Sequence, residues 1–187
     1  MRPRRNPGGD RMGMRSIGDR RVARELASRR RAIDRAAGIR VAILGTDGSP
    51  HARRAAAFLG RLTPRPGARA IVVSVLEPMR SPSLALMPAS TRRLLSGAMA
   101  EVEHARYRRA ETSTKAAATI LARAGWRVET SVRRGIPVEE LLSAARETRA
   151  RLIVLGSRGT SGLSRLLLGS VAEGVVKRST IPVLLVH

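Results

Sequence analysis

The stretch that decides the fold is Leu152-Ile-Val-Leu-Gly-Ser-Arg-Gly159, a short apolar run that passes directly into a glycine-rich segment. Four consecutive large apolar residues are typical of a strand that is buried on both faces of a parallel sheet. A similar run, Val41-Ala-Ile-Leu44, ends at Gly45 and is followed by Thr46 and Asp47. Both runs therefore predict buried strands whose carboxyl ends carry small and polar residues.

Strands and helices alternate outward from these two runs, over residues 39–187. Further strands are predicted at 70–76, 127–133 and 182–186, and helices are predicted to begin at Pro50, Thr91, Pro137 and Gly169-Ser170. Helical spacing places Val102 and Ile120 of the long helix and Val176 of the last helix in the core. The alternation favours one α/β domain, an open parallel five-stranded sheet with helices on both faces.

Residues 1–38 differ from the rest in composition. They hold twelve Arg against four acidic residues, several Gly and Pro, and few large apolar side chains. Such a composition cannot bury enough apolar surface to order the chain. We therefore predict a basic, disordered N-terminal extension over 1–38 and a folded domain over 39–187, although Val22–Ala37 would allow a basic helix.

The formal net charge of +22 is the strongest compositional signal. An excess of this size is typical of proteins that bind nucleic acid or another polyanion. However, all of the 36 basic residues except Lys115 and Lys177 are arginines, as GC-rich coding often produces, and no aromatic stacking platform accompanies them. Nucleic-acid binding through the Arg-rich extension therefore stays open as an alternative, but it is not favoured.

Several classes of site and location are disfavoured by what the sequence lacks. Without cysteine there is no disulfide, thiolate metal site or cysteine nucleophile, and the presence of only three histidines disfavours a zinc site. No apolar run reaches the ~20 residues that span a bilayer, and the N-terminus lacks a secretory signal core. We expect a cytoplasmic protein with no membrane partner.

The two strand exits have the chemistry of a phosphate site. In open α/β sheets, ligands bind beyond the carboxyl ends of the strands. Glycines at 156, 159 and 169 let backbone N–H groups approach an anion, and the helix that starts at Ser170 directs its positive end toward it. The same glycines could instead serve only a tight strand exit and a helix cap. Neither the P-loop pattern nor Gly-x-Gly-x-x-Gly occurs.

The spacing Gly156-x2-Gly159-x9-Gly169-Ser170 resembles the glycine signature of the ATP-binding branch of the universal stress protein family. Ile43-Leu-Gly-Thr-Asp-Gly-Ser49, Leu166-Leu-Leu-Gly-Ser-Val-Ala-Glu173 and Ile181-Pro-Val-Leu-Leu-Val186 resemble other stretches of that family. The resemblance covers residues 39–187 in the family's order. It implies an adenine nucleotide alpha hydrolase-like fold, sheet order 3-2-1-4-5, and a homodimer through the last strand.

The resemblance also implies a set of contacts with ATP, and Mg or Mn bound through the phosphates. Gly45, Thr46 and Asp47 would line the ribose and adenine, and the Val75 backbone would meet the adenine. The ribose and phosphates would be contacted by Gly156, Ser157, Arg158, Gly159, Gly169, Ser170, Val171 and Ala172. No catalytic residue is assigned.

The function that we predict is an ATP-binding stress-response or regulatory protein with little or no turnover. Hydrolysis needs a base or a water-orienting group beside the γ-phosphate, and the loops offer arginine but no evident carboxylate there. A slow ATPase or autophosphorylating enzyme is the first alternative. A nucleic-acid-associated protein that acts through the extension is the second.

Overall fold

The computed structural model describes residues 39–79, 88–159 and 168–187. Residues Ile39–His187 form a compact unit. The predicted disordered extension over 1–38, the helix considered at Val22–Ala37 and the pair Leu166-Leu167 lie outside the described residues. None of the described helices is long and apolar enough to cross a membrane.

The sheet has five parallel strands in the order β3-β2-β1-β4-β5, which confirms the predicted topology. The strands are β1 Val41–Gly45, β2 Arg69–Leu76, β3 Arg127–Arg134, β4 Leu152–Gly156 and β5 Val183–Val186. The three central strands are buried along most of their length, because helices cover both of their faces. Their register aligns Ile43 of β1 with Ile71 of β2 and Ile153 of β4.

Four helices alternate with the strands: α1 Pro50–Arg61, α2 Ala89–Arg123, α3 Pro137–Glu147 and α4 Ser170–Arg178. Helices α1 and α2 pack on one face of the sheet, against Leu44, Val72 and Val154. Helices α3 and α4 pack on the other face, against Ile43 and Ile153. The fold is therefore the three-layered α/β arrangement that the alternation predicted.

The start of α1 shows how local sequence sets an element. Ser49 adopts an extended conformation as N-cap, and its Oγ accepts a hydrogen bond from the Ala52 N–H at 3.1 Å. Pro50 occupies the first turn, where its missing N–H costs nothing. Alanines at 52, 55 and 56 and Leu59 form the buried face of α1, as their spacing predicted.

The long helix α2 departs from the prediction in its buried face. Val102 is 50% exposed and Ile120 is 36% exposed, so both were wrongly assigned to the core. The buried residues are Ala110, Thr114, Ala117 and Leu121, which lie on a narrow stripe. A helix of 35 residues is roughly 50 Å long, whereas an eight-residue strand spans roughly 27 Å, so the sheet can cover only part of it. Val176 of α4 is likewise exposed.

Candidate functional site

A cavity of about 480 Å³ lies beyond the carboxyl ends of β1, β2 and β4. Its position is the one that the rule for open α/β sheets predicts, because the chain passes to opposite sides of the sheet after β1 and β4. Residues from both strand exits, from the starts of α3 and α4 and from the middle of α2 line it. The volume lies within the range of small-molecule sites.

The loop after β1 is held in shape by its own polar groups. The Thr46 N–H donates to the Val73 carbonyl at 2.9 Å, which ties the loop to β2. The Thr46 Oγ1 accepts from the Gly48 N–H at 3.2 Å, and the Asp47 Oδ1 accepts from the Ser49 N–H at 2.9 Å. These bonds fix the Asp47 carboxylate at the lip of the cavity, where the side chain is exposed.

The loops after β1 and β4 are joined across the cavity. The buried Ser49 hydroxyl lies 3.5 Å from the Arg158 carbonyl oxygen, to which it donates. A Cβ atom on Gly159 would lie 2.9 Å from the Asp47 Oδ2. The glycine backbone and the Asp47 carboxylate therefore face each other at close range, and Arg158 lines the cavity beside them.

The N-terminus of α4 forms one wall of the cavity. Gly169 is its N-cap and has no side chain that could accept from the first turn. The Gly169 carbonyl accepts from the Glu173 N–H at 2.9 Å, so the earlier N–H groups of Ser170, Val171 and Ala172 have no partner within the helix. All three residues line the cavity. An uncapped helix N-terminus of this kind favours an anionic group.

Ser157 does not line the cavity, unlike the other predicted site residues. Its side chain is fully buried, and its Oγ lies 3.4 Å from the His51 Nδ1. Its N–H donates to the Val186 carbonyl, and its carbonyl accepts from the Gly169 N–H, both at 2.8 Å. Ser157 thus joins the end of β4 to β5 and to the start of α4, and so positions the wall rather than facing the cavity.

His51 directly precedes Ala52, one of the residues that line the cavity. Burial lowers the pKa of His51 below its ordinary value, and the neighbouring cations Arg54 and Arg158 lower that pKa further. The imidazole is therefore neutral at neutral pH and adds no charge beside the α4 N-terminus. His104 is exposed on α2, and His187 follows β5.

The wall of the cavity beside β2 is apolar except for two charged residues. Val73 and Val75 are the apolar lining residues that β2 itself contributes. Further apolar lining residues come from other elements: Pro137 and Leu141 of α3, Leu155 of β4 and Ala52 of α1. Glu77 and Arg106 also line the cavity. The Arg106 guanidinium donates to the Glu77 carbonyl at 2.8 Å and to the Glu103 Oε2 at 3.2 Å, which holds its position against β2. An apolar recess with fixed polar groups suits a flat heterocycle.

Sequence reasoning missed Arg106, although a signal for it existed. The buried stripe of α2 runs through Ala110, Thr114, Ala117 and Leu121. One further turn toward the N-terminus of that stripe leads from Ala110 to Arg106, because residues four apart share a helix face. The sequence alone does not give the rotation of α2 against the sheet, and that rotation decides which helix face contains the stripe.

The structure brings together all but one of the predicted site residues. Those that line the cavity are Gly45, Thr46, Asp47, Val75, Gly156, Arg158, Gly159, Gly169, Ser170, Val171 and Ala172. Within the described ranges, no group of three or more His, Asp or Glu side chains could hold a metal ion. The cavity offers a ligand backbone N–H groups, the carboxylates of Asp47 and Glu77, and the side chains of Arg106 and Arg158.

Relatives of the chain agree with this architecture. Residues 38–187 match the model of the Universal stress protein family. The "universal stress protein in QAH/OAS sulfhydrylase 3'region" of Thermus aquaticus is 36% identical over 146 residues, which are 78% of this chain and 96% of that protein.

Two solved structures are also similar. The first is MJ0577 of Methanocaldococcus jannaschii, with a TM-score of 0.64, 24% identity, and coverage of 79% of this chain and 95% of that one. The second is a universal stress protein solved in complex with cAMP, with a TM-score of 0.57, 26% identity, and coverage of 80% and 97%.

Proposed function

This chain belongs to the universal stress protein family, and we propose that its domain binds ATP at the carboxyl edge of the sheet as a stress-response regulator with little or no turnover. The observation that carries the proposal is one cavity that combines an apolar recess at β2 with the uncapped N-terminus of α4. A recess for a base beside an anion site matches the two ends of a nucleotide. The relative solved with cAMP supports an adenine nucleotide as the ligand class.

The two ends of the cavity orient the nucleotide. We place the adenine against Val75 and the other apolar residues near β2, because a base gains most from burial there. The phosphates lie against Gly159, Gly169 and the first turn of α4, where N–H groups lack helical partners. Asp47, at the lip between the two ends, accepts hydrogen bonds from ribose hydroxyls. Arg158 contributes positive charge toward the phosphates.

A divalent cation fits this arrangement through the nucleotide. The only carboxylates that line the cavity among the described residues are those of Asp47 and Glu77. Mg²⁺ keeps several waters and is usually held by one or two carboxylates together with substrate phosphates. Mg or Mn would therefore be bound through phosphate oxygens, and it would neutralise charge there.

The low turnover follows from what surrounds the phosphates. Hydrolysis needs a group that activates or orients water in line with the γ-phosphate. The lining residues beside α4 are glycine, Ser170, Val171, Ala172 and Arg158, none of which is a strong base at neutral pH. Among the described lining residues, the carboxylate nearest this loop is that of Asp47, which the proposal assigns to the ribose hydroxyls. A kcat in the ordinary enzymatic range of about 1 to 1,000 per second would contradict this part of the proposal.

Titration calorimetry and thermal unfolding test ATP binding directly. The melting temperature should rise with millimolar ATP and Mg²⁺, because a ligand at 100 times its Kd adds about 2.7 kcal/mol to the free energy of unfolding. Asp47→Ala should raise the Kd about tenfold by removing the hydrogen-bond acceptor at the lip. Glu101→Ala is the matched control, since Glu101 is an exposed acid on α2 that does not line the cavity. No ATP-dependent shift in the wild type would refute the proposal.

We also propose that two copies pair through β5. All four residues of β5 are half-buried and apolar, and β5 is an outer strand of the sheet. The carbonyls of Pro182 and Val186 accept bonds from β4, so the alternate residues Val183 and Leu185 direct their backbone N–H groups outward. An apolar strand with an open edge is a template for pairing with another chain.

Two separate proline variants, one in each edge strand of the sheet, test whether β5 forms the dimer interface. Leu185→Pro removes an outward N–H of β5, and we expect it to convert a dimer to a monomer in light scattering after size exclusion. Thr130→Pro is the matched control, because Thr130 lies on the opposite edge strand, β3. The N–H groups of Arg127 and Gly135, at odd-numbered positions, donate to Ala68 and Leu76. The N–H of the even-numbered Thr130 therefore points outward. A Leu185→Pro protein that stays fully dimeric would exclude β5 as the interface.

A further inference from the structure

The amino edge of the sheet carries a row of arginines on four adjacent strands. Arg127 and Arg69 begin β3 and β2 and are direct partners in the register. Arg40 precedes β1, and its carbonyl accepts from the Arg69 N–H at 2.8 Å. Arg151 precedes β4, and its N–H donates to the Val41 carbonyl at 2.8 Å. We call these four residues the arginine row.

The arginine row is open to solvent and largely uncompensated. Arg40, Arg127 and Arg151 are exposed, and within the described part of the chain none of the three makes an ion pair. Arg69 is half-buried and pairs with Glu129 at 3.1 Å. The row therefore presents about three unit charges at the amino ends of β3, β1 and β4.

Helix ends add further positive charge to this edge. Helices α1, α2 and α3 each end a few residues before β2, β3 and β4, and each has an arginine in its last turn: Arg61, Arg123 and Arg146. Cations at helix C-termini complement the helix dipole, which explains those three without any partner. No such reason applies to the arginine row, because its members lie at strand starts.

The acidic residues nearest the strands lie mainly at the opposite edge. Asp47 and Glu77 follow β1 and β2, and Glu139 and Glu140 lie in the first turn of α3. At the amino edge, Glu129 pairs with Arg69. Glu147, at the end of α3, pairs with Arg133, which lies near the carboxyl end of β3. Arginines also lie at the carboxyl edge, but Arg106, Arg133 and Arg134 each pair with a glutamate there. Among the described residues, Glu129 is the one acid that pairs with the arginine row.

The dimensions of the row suit a phosphate backbone. Neighbouring strands are about 4.8 Å apart, so four strands span about 14 Å. One strand of a nucleic-acid duplex carries a phosphate every 3.4 Å along its axis, so the row covers about four phosphates. Guanidinium groups bind phosphate oxygens in two-pronged hydrogen bonds, which makes arginine suited to this contact.

The surroundings of the row favour duplex over single strands or membranes. Single-strand binding uses aromatic side chains on which bases stack, but Trp126, next to Arg127, is only 5% exposed and packs in the core. Stable binding to a lipid surface needs an apolar face beside the charge. Among the described residues, Ile120 and Val176 are exposed in the last turns of α2 and α4, but these helices lie on opposite faces of the sheet and so do not form one apolar face.

We propose that the arginine row binds the phosphate backbone of double-stranded nucleic acid without reading base sequence. The row lies at the amino edge of the sheet and the cavity lies at the carboxyl edge, so nucleic acid and ATP would occupy separate sites. Phosphate contacts position a protein on a duplex but carry no sequence information. The domain itself would then bind nucleic acid, in addition to any contribution of residues 1–38.

The salt dependence of duplex binding by the full chain tests this proposal. A fluorescent DNA duplex of about 20 base pairs is titrated at several salt concentrations, and the slope of log K against log salt is measured. Each phosphate contact contributes about 0.9 to that slope. The triple variant Arg40→Gln, Arg127→Gln, Arg151→Gln should reduce the slope by about 2 to 3 and weaken binding at least tenfold at ~0.1 M salt.

Two further variants keep the test decisive. Arg93→Gln, Arg108→Gln, Arg109→Gln makes the same charge change at exposed positions of α2 and should reduce the slope by less than about 1. Lysine at the three row positions should restore the slope, because it keeps the charge, and this excludes a folding defect. Equal losses in the row and α2 variants, an unchanged slope in the row variant, or stronger binding to phosphatidylserine vesicles than to the duplex would each overturn the proposal.

Discussion

Gly159→Val is expected to weaken ATP binding at least tenfold, or about 1.4 kcal/mol, while the domain stays folded. A Cβ atom at this position would lie 2.9 Å from the Asp47 Oδ2, so the side chain must displace that carboxylate and fill the space between the two loops. Gly159 does not have a positive φ, so valine is not penalised by a left-handed backbone conformation there. The expected loss is therefore in affinity, measured as Kd by calorimetry with Mg²⁺ present.

A valine at Gly97 is the matched control for this prediction. Gly97 lies in α2, and a Cβ atom there meets no atom within 4 Å, so the same chemical change occurs in open space. Gly97→Val should bind ATP as the wild type does, with the same ATP-dependent rise in melting temperature. If Gly159→Val binds ATP normally, the phosphates do not lie against this loop. If it unfolds without a change in affinity, the glycine serves the fold.

Much of the fold was predictable because its signals are local. Apolar runs bounded by glycine predicted β1 and β4, and Ser49-Pro50 predicted the start of α1 through a cap that the structure contains. The spacing of glycines and a polar helix start predicted which strand exits would meet. These features depend on a few neighbouring residues, and the parallel sheet then places both exits at one edge.

The rest depended on how elements are rotated against each other. Val102 was assigned to the core on helical spacing, but α2 extends beyond the sheet and leaves it exposed. Arg106 was missed because only the rotation of α2 directs it toward the cavity. Ser157 lies between two lining residues of the sequence, but its side chain turns toward His51. A sequence motif predicts where the backbone of a loop lies better than it predicts the direction of each side chain.

Gly156→Ala is expected to lower the free energy of unfolding by about 3 kcal/mol, the upper part of the range for overpacking. A Cβ atom at Gly156 would lie 2.6 Å from the His51 carbonyl carbon and 2.8 Å from the Ala52 nitrogen, both backbone atoms in the first turn of α1. That turn cannot retreat alone, because its N-cap Ser49 is bonded to the Ala52 N–H and to the Arg158 carbonyl.

Gly45→Ala provides the comparison, with urea unfolding as the measurement for both variants. A Cβ atom at Gly45 would overlap the Leu155 Cδ2 and lie 3.1 Å from the Leu141 Cδ2, both of which are ends of flexible side chains. We expect Gly45→Ala to cost about 1 kcal/mol, a third of the cost at Gly156, because only a side chain must move. Equal costs would mean that α1 shifts as readily as a leucine rotates. In that case α1 could pack against the end of β4 even with a side chain at position 156.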